Sequence, residues 1–460
     1  MPISENYSWR YLFHFTDIRN LDSIIKNGVL CTNEKNKRGI EHHNIANKTI
    51  QERRASMDVP VGPRGKVHDY VPFYFSSMNP MLLKKLDEKN VDQQFIVYFC
   101  VKIQRLEKDD AVFTDASANT NEPPTFYDDV DDLDKLNWQA IDKKSWGVVS
   151  DEERHKKMAE ALIHKRVDIR EIDAILVFND GIKEAVKKVF EENGIESPAI
   201  IIDGDARVKN YHFYYTKFFL NDKAMKNDSL VTGPLTLLHE YKGLIENIRK
   251  ERSQNKTNYP YRTVSDIVQA IEGDFTIIPE LKSVTSLLQD YPPHKDTVDD
   301  HTKKVVEELK KQDYYKNIST EKKNTLLFAS YLHDIGKGPK TKWENEKMIR
   351  AYPDHPADAI PMLKRILVEE VENLTDEEIR LICMLVVYHD IIGDCMEKGR
   401  EKQQVVDVIE NEDDLEMLFA ISCADARAIN GAWALGIFGR KKSFAEQIME
   451  MKRQQLCQTP

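Results

Sequence analysis

The chain has 460 residues, a formal net charge of −11, 41% hydrophobic residues and 31% charged residues. This composition indicates a soluble protein of two or three domains, and the negative charge argues against general coating of DNA. No apolar run is long enough to span a membrane and the N-terminus lacks a signal-peptide core, so we expect a cytoplasmic protein without a membrane partner. None of the six cysteines forms a C-x-x-C pair, which argues against a disulfide framework or a thiolate zinc site.

The first predicted strand is YLFHFT, residues 11–16. Its alternation has a period of two, which places His14 and Thr16 on one face and the two phenylalanines on the other. A short amphipathic helix is predicted next, and it ends at Gly28.

The segment from Glu34 to Lys66 is rich in Lys and Arg and contains several Pro and Gly residues. We interpret it as a mobile loop that contacts nucleic acid. A solvated surface loop without a ligand is the alternative.

An aromatic segment, VHDYVPFYFSSMNPML, spans residues 67–82 and includes Tyr74. Aromatic faces can stack on a ring or a sugar, and the serines that follow can reach hydroxyls or phosphates. The segment therefore predicts one wall of a pocket, and an aromatic-rich core strand that ends at a proline is the alternative.

Further strands are predicted in QFIVYFCVKI, IDAILVFN and AIIID, and a helix that ends near Gly194 lies between the last two. YHFYYTKFF, residues 211–219, is expected to be the closing strand. This pattern predicts an α+β domain over residues 1–220, followed by a polar helical connector over 221–277.

Several separate motifs resemble the DarT family of DNA ADP-ribosyltransferase toxins. They are YLFHFT, IQERR (50–54), the aromatic segment, FTDASAN (113–119), FYDDVDDLDKLNW (126–138) and AEALIHKRVDIREIDAILVFN (159–179). The resemblance implies that His14 and Thr16 hold the adenosine end of NAD and that Tyr74 lies in the binding block. It also implies that Glu160 is the catalytic glutamate.

The essential arginine of the family matches either Arg53 or Arg54, and we favour Arg54 although the register stays open. NAD cleavage builds positive charge on the ribose, which the Glu160 carboxylate can oppose while it hydrogen-bonds a ribose hydroxyl. An arginine can hold the pyrophosphate or the target base through its planar fork.

The second half of the chain is predicted to be helical, and its histidines and aspartates follow apolar helical stripes. A single histidine on the core side of a helix is usually a satisfied core residue, whereas five such segments are better explained by a shared metal ion. The candidate ligands are His301, His333, Asp334, His355, His389 and Asp425.

YLHDIGKG (331–338) and the terminal ADARA (424–428) resemble the HD superfamily of metal-dependent phosphohydrolases. The resemblance implies an all-α HD domain over residues 278–460 that binds one or two ions of Mn, Fe, Co, Ni or Zn. It also implies that Lys337 lies near a substrate phosphate.

We therefore predict an ADP-ribosyltransferase that uses NAD, modifies a base in single-stranded DNA and carries a second hydrolase. Thymidine is the favoured target and guanosine the runner-up. A separate antitoxin, or control by the HD domain, would restrain the toxin. The alternative is a phosphohydrolase whose first domain only binds NAD or DNA, and a non-enzymatic scaffold is a third reading.

Overall fold

The computed structural model describes residues 2–45, 48–118, 123–143, 150–203, 232–254 and 258–458. The chain forms two compact units, Met1–Asp87 with Val91–Phe218, and Glu88–Asn90 with Phe219–Pro460. Within the described ranges, no helix has the length and apolarity that a membrane span requires. The predicted closing strand at 211–219 lies outside the described residues.

The first unit is built on a mixed sheet. Its strands are β1 (Tyr11–Asp17), β2 (Val29–Leu30), β3 (Asp58–Val59), β4 (Gly65–Lys66), β5 (Tyr70–Tyr74), β6 (Ile96–Lys102), β7 (Ala111–Thr114), β8 (Phe126–Tyr127), β9 (Glu160–His164), β10 (Arg166–Val167), β11 (Ala174–Val177) and β12 (Ala199–Ile202). The predicted strands at β1, β6, β11 and β12 are confirmed.

Eight of these strands join in the order β12-β11-β6-β1-β5-β9-β7-β8. Only the β11–β12 pair is parallel. The central strands β1, β5 and β9 are antiparallel neighbours, and their register pairs Tyr74 with both Phe13 and Glu160. The sheet thus brings the beginning of β9 next to the end of β5, where the aromatic segment stops.

The described helices of the first unit are α1 (Leu21–Asn27), α2 (Thr32–Arg38), α3 (Lys48–Ser56), α4 (Pro80–Asp87), α5 (Trp138–Asp142), α6 (Asp151–Lys157) and α7 (Asp180–Glu192). α1 ends as predicted at Gly28, whose φ is 79°. The interpretation of 34–66 as a mobile loop was wrong, because α2, α3 and the β3–β4 hairpin occupy most of it. Local capping supports α2, since the Cys31 Sγ accepts a hydrogen bond from the Glu34 amide.

The second unit is helical. Its helices are α8 (Pro234–Gln254), α9 (Val264–Gly273), α10 (Pro279–Val284), α11 (Val298–Lys311), α12 (Asp313–Asn317), α13 (Thr320–Leu332), α14 (His355–Glu369), α15 (Asp376–Val387), α16 (Ile391–Gly393), α17 (Gln403–Val408), α18 (Glu412–Ile429) and α19 (Gly431–Gln458). A short parallel pair, β13 (Leu288–Gln289) and β14 (Lys347–Met348), accompanies them.

The segment predicted as a connector contributes to the core of the second unit. Ile248 of α8 and Ile267 of α9 are fully buried in the same apolar cluster as Leu326 of α13 and Leu385 of α15. Burial of each such side chain is worth about 1.5–3 kcal/mol. The described part of this segment is therefore packed structure.

Candidate functional site

A cleft of about 320 Å³ opens in the first unit beside β1 and β5. Its lining includes four of the residues that the sequence singled out, namely His14, Thr16, Arg54 and Tyr74. Among the described residues that line it, none is Asp or Glu. In a chain with a net charge of −11, a cleft without carboxylates favours an anionic ligand.

His14 is held as a neutral imidazole. Its Nδ1 lies 2.8 Å from the Pro72 carbonyl oxygen on the neighbouring strand, so Nδ1–H donates and Nε2 keeps its lone pair. Burial lowers the His14 pKa to about 4. Thr16, two residues along the same face, accepts at Oγ1 a hydrogen bond of 2.9 Å from the side-chain Nδ2 of Asn20. One strand therefore presents two acceptors at one end of the cleft.

Arg54 and Glu160 form a bidentate ion pair. The two guanidinium nitrogens lie 2.8 and 2.9 Å from the two carboxylate oxygens, and Glu160 is fully buried. The Ala118 amide donates a third hydrogen bond of 2.9 Å to Glu160 Oε1. Oε2 accepts only from Arg54 in the described part of the chain, so this oxygen has capacity for another donor.

The packing of α3 distinguishes the two adjacent arginines. Arg54 is 6% exposed and its guanidinium contacts Glu160, whereas Arg53 is exposed to solvent. Arg54 lines the cleft and Glu160 does not, so the glutamate reaches the cleft through its arginine partner. Tyr74 lies next to this ion pair, because it is the strand partner of Glu160. Its ring stacks on the Phe15 ring, with the two ring centroids 5.7 Å apart.

Comparison with known proteins identifies this unit. A family model described as "ssDNA thymidine ADP-ribosyltransferase, DarT" matches residues 13–214. A DNA ADP-ribosyl transferase of Thermus aquaticus is 33% identical over 186 residues, which are 39% of this chain and 81% of that protein. The chain belongs to the DarT family of DNA ADP-ribosyltransferases. The resemblance predicted from the motifs is thereby confirmed for the first unit.

Two further comparisons concern a fusion protein and a solved structure. A DNA ADP-ribosyl transferase–DNA ADP-ribosyl glycohydrolase fusion protein of Thermosipho africanus is 26% identical over 230 residues, 49% of this chain and 55% of that protein. The solved structure of Thermus sp. 2.9 DarT in complex with ADP-ribosylated ssDNA is 29% identical, covers 45% of this chain and 99% of that one, and has a TM-score of 0.40. The HD resemblance of the second half stays a prediction.

The second unit of this DarT-family chain brings the six predicted ligands together. Asp334 lies at the centre, with Oδ2 3.4 Å from His333 Nε2 and 3.8 Å from His301 Nε2, and with Oδ1 3.4 Å from His355 Nε2. Asp425 of α18 lies 2.9 Å from His301 Nε2. Two groups of possible ligands therefore share the Asp334 carboxylate, one around His301 and His333 and one around His355 and His389.

Three of the histidines present bare nitrogens to this cluster. The Nδ1 atoms of His333, His355 and His389 each lie 2.7–2.8 Å from a backbone carbonyl three residues earlier. A carbonyl can only accept, so each Nδ1 carries the proton and each Nε2 carries a lone pair. The buried His333 Nε2 has no hydrogen-bond partner within the described ranges of the chain.

Two of these lone pairs face each other, because His355 Nε2 and His389 Nε2 are 3.0 Å apart. Burial lowers the His355 pKa to about 3, so the His355 ring does not supply a proton to this contact near neutral pH. A cation bound between the two rings would relieve the repulsion between the lone pairs. The donor set of imidazoles and carboxylates thus fits a divalent transition metal ion.

Lys337 is 6% exposed, and its Nζ donates to Asp334 Oδ2 at 2.6 Å and to Gln289 Oε1 at 3.0 Å. Burial opposes ionisation of Asp334, but the charge of the neighbouring Lys337 outweighs it and holds the Asp334 pKa well below its usual range. Lys337 therefore orients a candidate ligand, and its contact with a substrate phosphate stays a prediction.

Gly336 lets two ligand-bearing segments approach closely. A Cβ at this position would lie 1.8 Å from the His355 carbonyl oxygen, where α14 begins. The preceding helix α13 ends at Leu332, so Gly336 is not needed to terminate it. Close packing against His355 is the reason that the position needs glycine.

Sequence reasoning missed Asp390, whose oxygens lie 3.4 Å from His389 Nε2 and 3.7 Å from His355 Nε2. A signal was present, because YHDIIG at 388–393 repeats much of YLHDIG at 331–336. It also missed Lys35, which lines the cleft of the first unit.

Proposed function

We propose that the first unit transfers ADP-ribose from NAD to thymidine in single-stranded DNA. The observation that carries this proposal is the Arg54–Glu160 pair beside a cleft without carboxylates, in a chain of the DarT family. An active transferase is favoured over a domain that only binds NAD or DNA, because the cleft has His14 and the paired Arg54 and Glu160 in or beside it.

In the proposed reaction, the bond between the ribose C1′ and the nicotinamide nitrogen breaks, and nicotinamide leaves as a neutral molecule. A base nitrogen forms the new bond to C1′ and releases its proton. Positive charge develops on the ribose in between, and Glu160 opposes it. Because Glu160 lies behind Arg54, its Oε2 accepts a hydrogen bond from a ribose hydroxyl only when the guanidinium gives up its own hydrogen bond to Oε2. Arg54 holds Glu160 in the orientation that this contact requires.

The remaining predicted residues bind the dinucleotide. His14 Nε2 and Thr16 offer acceptors to the adenosine hydroxyls or amine, and Tyr74 offers a ring face. The chain departs from a simple open site in one respect, because Glu160 lies behind Arg54. The Arg54 guanidinium therefore has to contact both the bound substrate and the Glu160 carboxylate.

Thymidine is favoured over guanosine because the description of the matching family model names it. The ring nitrogen of thymine that carries a proton lies on its Watson–Crick edge, which base pairing covers. A single strand leaves that edge free, which supports single-stranded DNA as the substrate.

The test is incubation of the purified chain with NAD labelled in the adenylate and with oligonucleotides that contain one thymidine or one guanosine. We expect label on single-stranded DNA with thymidine, and less on the duplex of the same sequence. Label on guanosine alone would overturn the base assignment. Absence of label on any oligonucleotide, with NAD turnover also absent, would overturn the transferase.

A second candidate function is carried by the facing His355 and His389 nitrogens. We infer that the second unit binds one or two divalent ions and hydrolyses phosphate esters, as the HD resemblance implies. Lewis-acid activation of a phosphoryl group is the chemistry that a bound ion would supply. The protein would contribute the oriented imidazoles and Asp334, fixed in turn by Lys337.

Elemental analysis of the purified full chain tests the ion site without reference to activity. We expect a transition metal in the wild type and its loss in the double variant His333→Ala with Asp334→Ala. His239→Ala is the matched control, because that histidine is exposed on α8. Wild-type metal content in the double variant would overturn the ligand assignment, and hydrolysis of bis-p-nitrophenyl phosphate then tests the reaction.

Control of the toxic activity has two proposed forms, a separate antitoxin or restraint by the second unit. Expression of the full chain and of its His333→Ala, Asp334→Ala variant distinguishes them. Greater toxicity of the variant supports restraint by the second unit. Equal toxicity of both supports a separate antitoxin.

A further inference from the structure

One lysine of the first unit has no place in the reaction described so far. Lys35 lies on α2 and lines the cleft together with His14, Arg54 and Tyr74. Its Nζ lies 3.3 Å from His42 Nε2, another residue of the lining. Among the described residues, no Asp or Glu forms an ion pair with it.

The other basic residues at the end of α2 behave differently. Arg38 forms an ion pair with Glu34 at 3.2 Å, one turn earlier on the same helix. Lys37 is exposed to solvent, as expected for a charged side chain without a ligand. Lys35 alone of these three extends toward the cleft, where burial lowers its pKa.

The charge balance of the cleft leaves Lys35 uncompensated. Arg54 is the other cation of the lining, and the fully buried Glu160 neutralises it through two hydrogen bonds. The Lys35 charge also acts on His14. Burial is the larger cause of the lowered His14 pKa, and the positive charge of Lys35 lowers that pKa further. A partly desolvated ammonium without a counter-ion is unfavourable unless a ligand supplies the negative charge.

The proposed dinucleotide carries its negative charge in one place, the pyrophosphate. We propose that Lys35 binds the pyrophosphate of the dinucleotide and thereby sets the affinity of the cleft for it. This inference rests on the proposed function of the first unit. His14 and Thr16 then hold the adenosine end, Arg54 and Glu160 face the nicotinamide ribose, and Lys35 neutralises the linking phosphates.

Calorimetric binding of ADP-ribose and of adenosine to the full chain tests this assignment. ADP-ribose contains the pyrophosphate and adenosine does not. For Lys35→Gln we expect ADP-ribose to bind about 10- to 100-fold more weakly, which is the value of a charge-assisted hydrogen bond, and adenosine to bind as in the wild type. Lys35→Arg should retain most of the ADP-ribose affinity.

Lys37→Gln is the matched control, because it removes the same charge from the same helix outside the cleft, and both affinities should stay unchanged. If Lys35→Gln binds ADP-ribose with wild-type affinity, the assignment of Lys35 is overturned while the proposed function of the first unit stands. Equal weakening of adenosine and ADP-ribose would also overturn it, because that result indicates a structural role. Failure of the wild type to bind ADP-ribose or NAD at all would overturn the proposed function and this inference with it.

Discussion

Arg54 and Glu160, which are 106 residues apart in sequence, meet through two parallel hydrogen bonds of 2.8 and 2.9 Å. The Arg54 guanidinium thus binds the Glu160 carboxylate in a bidentate manner, and both side chains are buried. Loss of one partner would leave the other charge buried without compensation, which costs about 3–5 kcal/mol. Tests of the transferase therefore need substitutions that keep size or charge.

Glu160→Gln keeps the size of the side chain and removes its negative charge. We expect transfer of label to DNA to fall by about 10²–10⁴-fold, because the amide cannot oppose the charge that develops on the ribose. Glu52→Gln is the control, since Glu52 is exposed on α3. If Glu160→Gln labels DNA at the wild-type rate, a residue other than Glu160 opposes the charge on the ribose.

Arg54→Lys and Arg53→Lys test the choice between the adjacent arginines. Lysine keeps the charge but cannot form the two parallel hydrogen bonds to Glu160. We expect Arg54→Lys to lower the labelling rate by about 10²-fold or more, and Arg53→Lys to leave it unchanged. The reverse order of effects would mean that the exposed Arg53 contacts the DNA or NAD and that Arg54 is structural.

Gly336→Ala tests the close approach of the two ligand-bearing segments. The new methyl group would collide with the His355 carbonyl oxygen, so we expect a destabilisation of about 3 kcal/mol and a loss of bound metal. Gly243→Ala on α8 is the control, because nothing lies within 4 Å of its Cβ position. Differential scanning calorimetry and elemental analysis measure the two effects. Unchanged values for Gly336→Ala would contradict the packing.

The buried His14 predicts a pH dependence of stability. Its pKa is about 4 in the folded chain against 6.5 for an ordinary histidine, so the unfolded chain binds the proton more tightly. This stability contribution is complete above pH 6.5 and is lost as the pH falls toward 4. His14→Asn keeps a donor for Pro72 but does not titrate. We expect its melting temperature to decrease less than that of the wild type between pH 7 and 5, and parallel curves would contradict the assignment.

Much of the site follows from the sequence. Period two in YLFHFT places His14 and Thr16 on one face, and the structure has both in the lining of one cleft. The apolar stripes that precede His333 and His389 place both on the core side of their helices, and both are buried. Such patterns are local, because the repeat of a strand or helix determines which side chains share a face.

Only the tertiary structure decided the rest. Adjacent helical residues point about 100° apart, and α3 has no apolar stripe to show which side is buried, so only the contact with the distant Glu160 selects Arg54 over Arg53. The same holds for Lys35, whose position in the cleft depends on how α2 packs against residues 67–69, and for Asp390, which follows the end of α15. The sequence by itself determined which groups are available for chemistry and on which local face they lie. The partners of each charge are distant in sequence, and only the fold brings them within hydrogen-bonding distance.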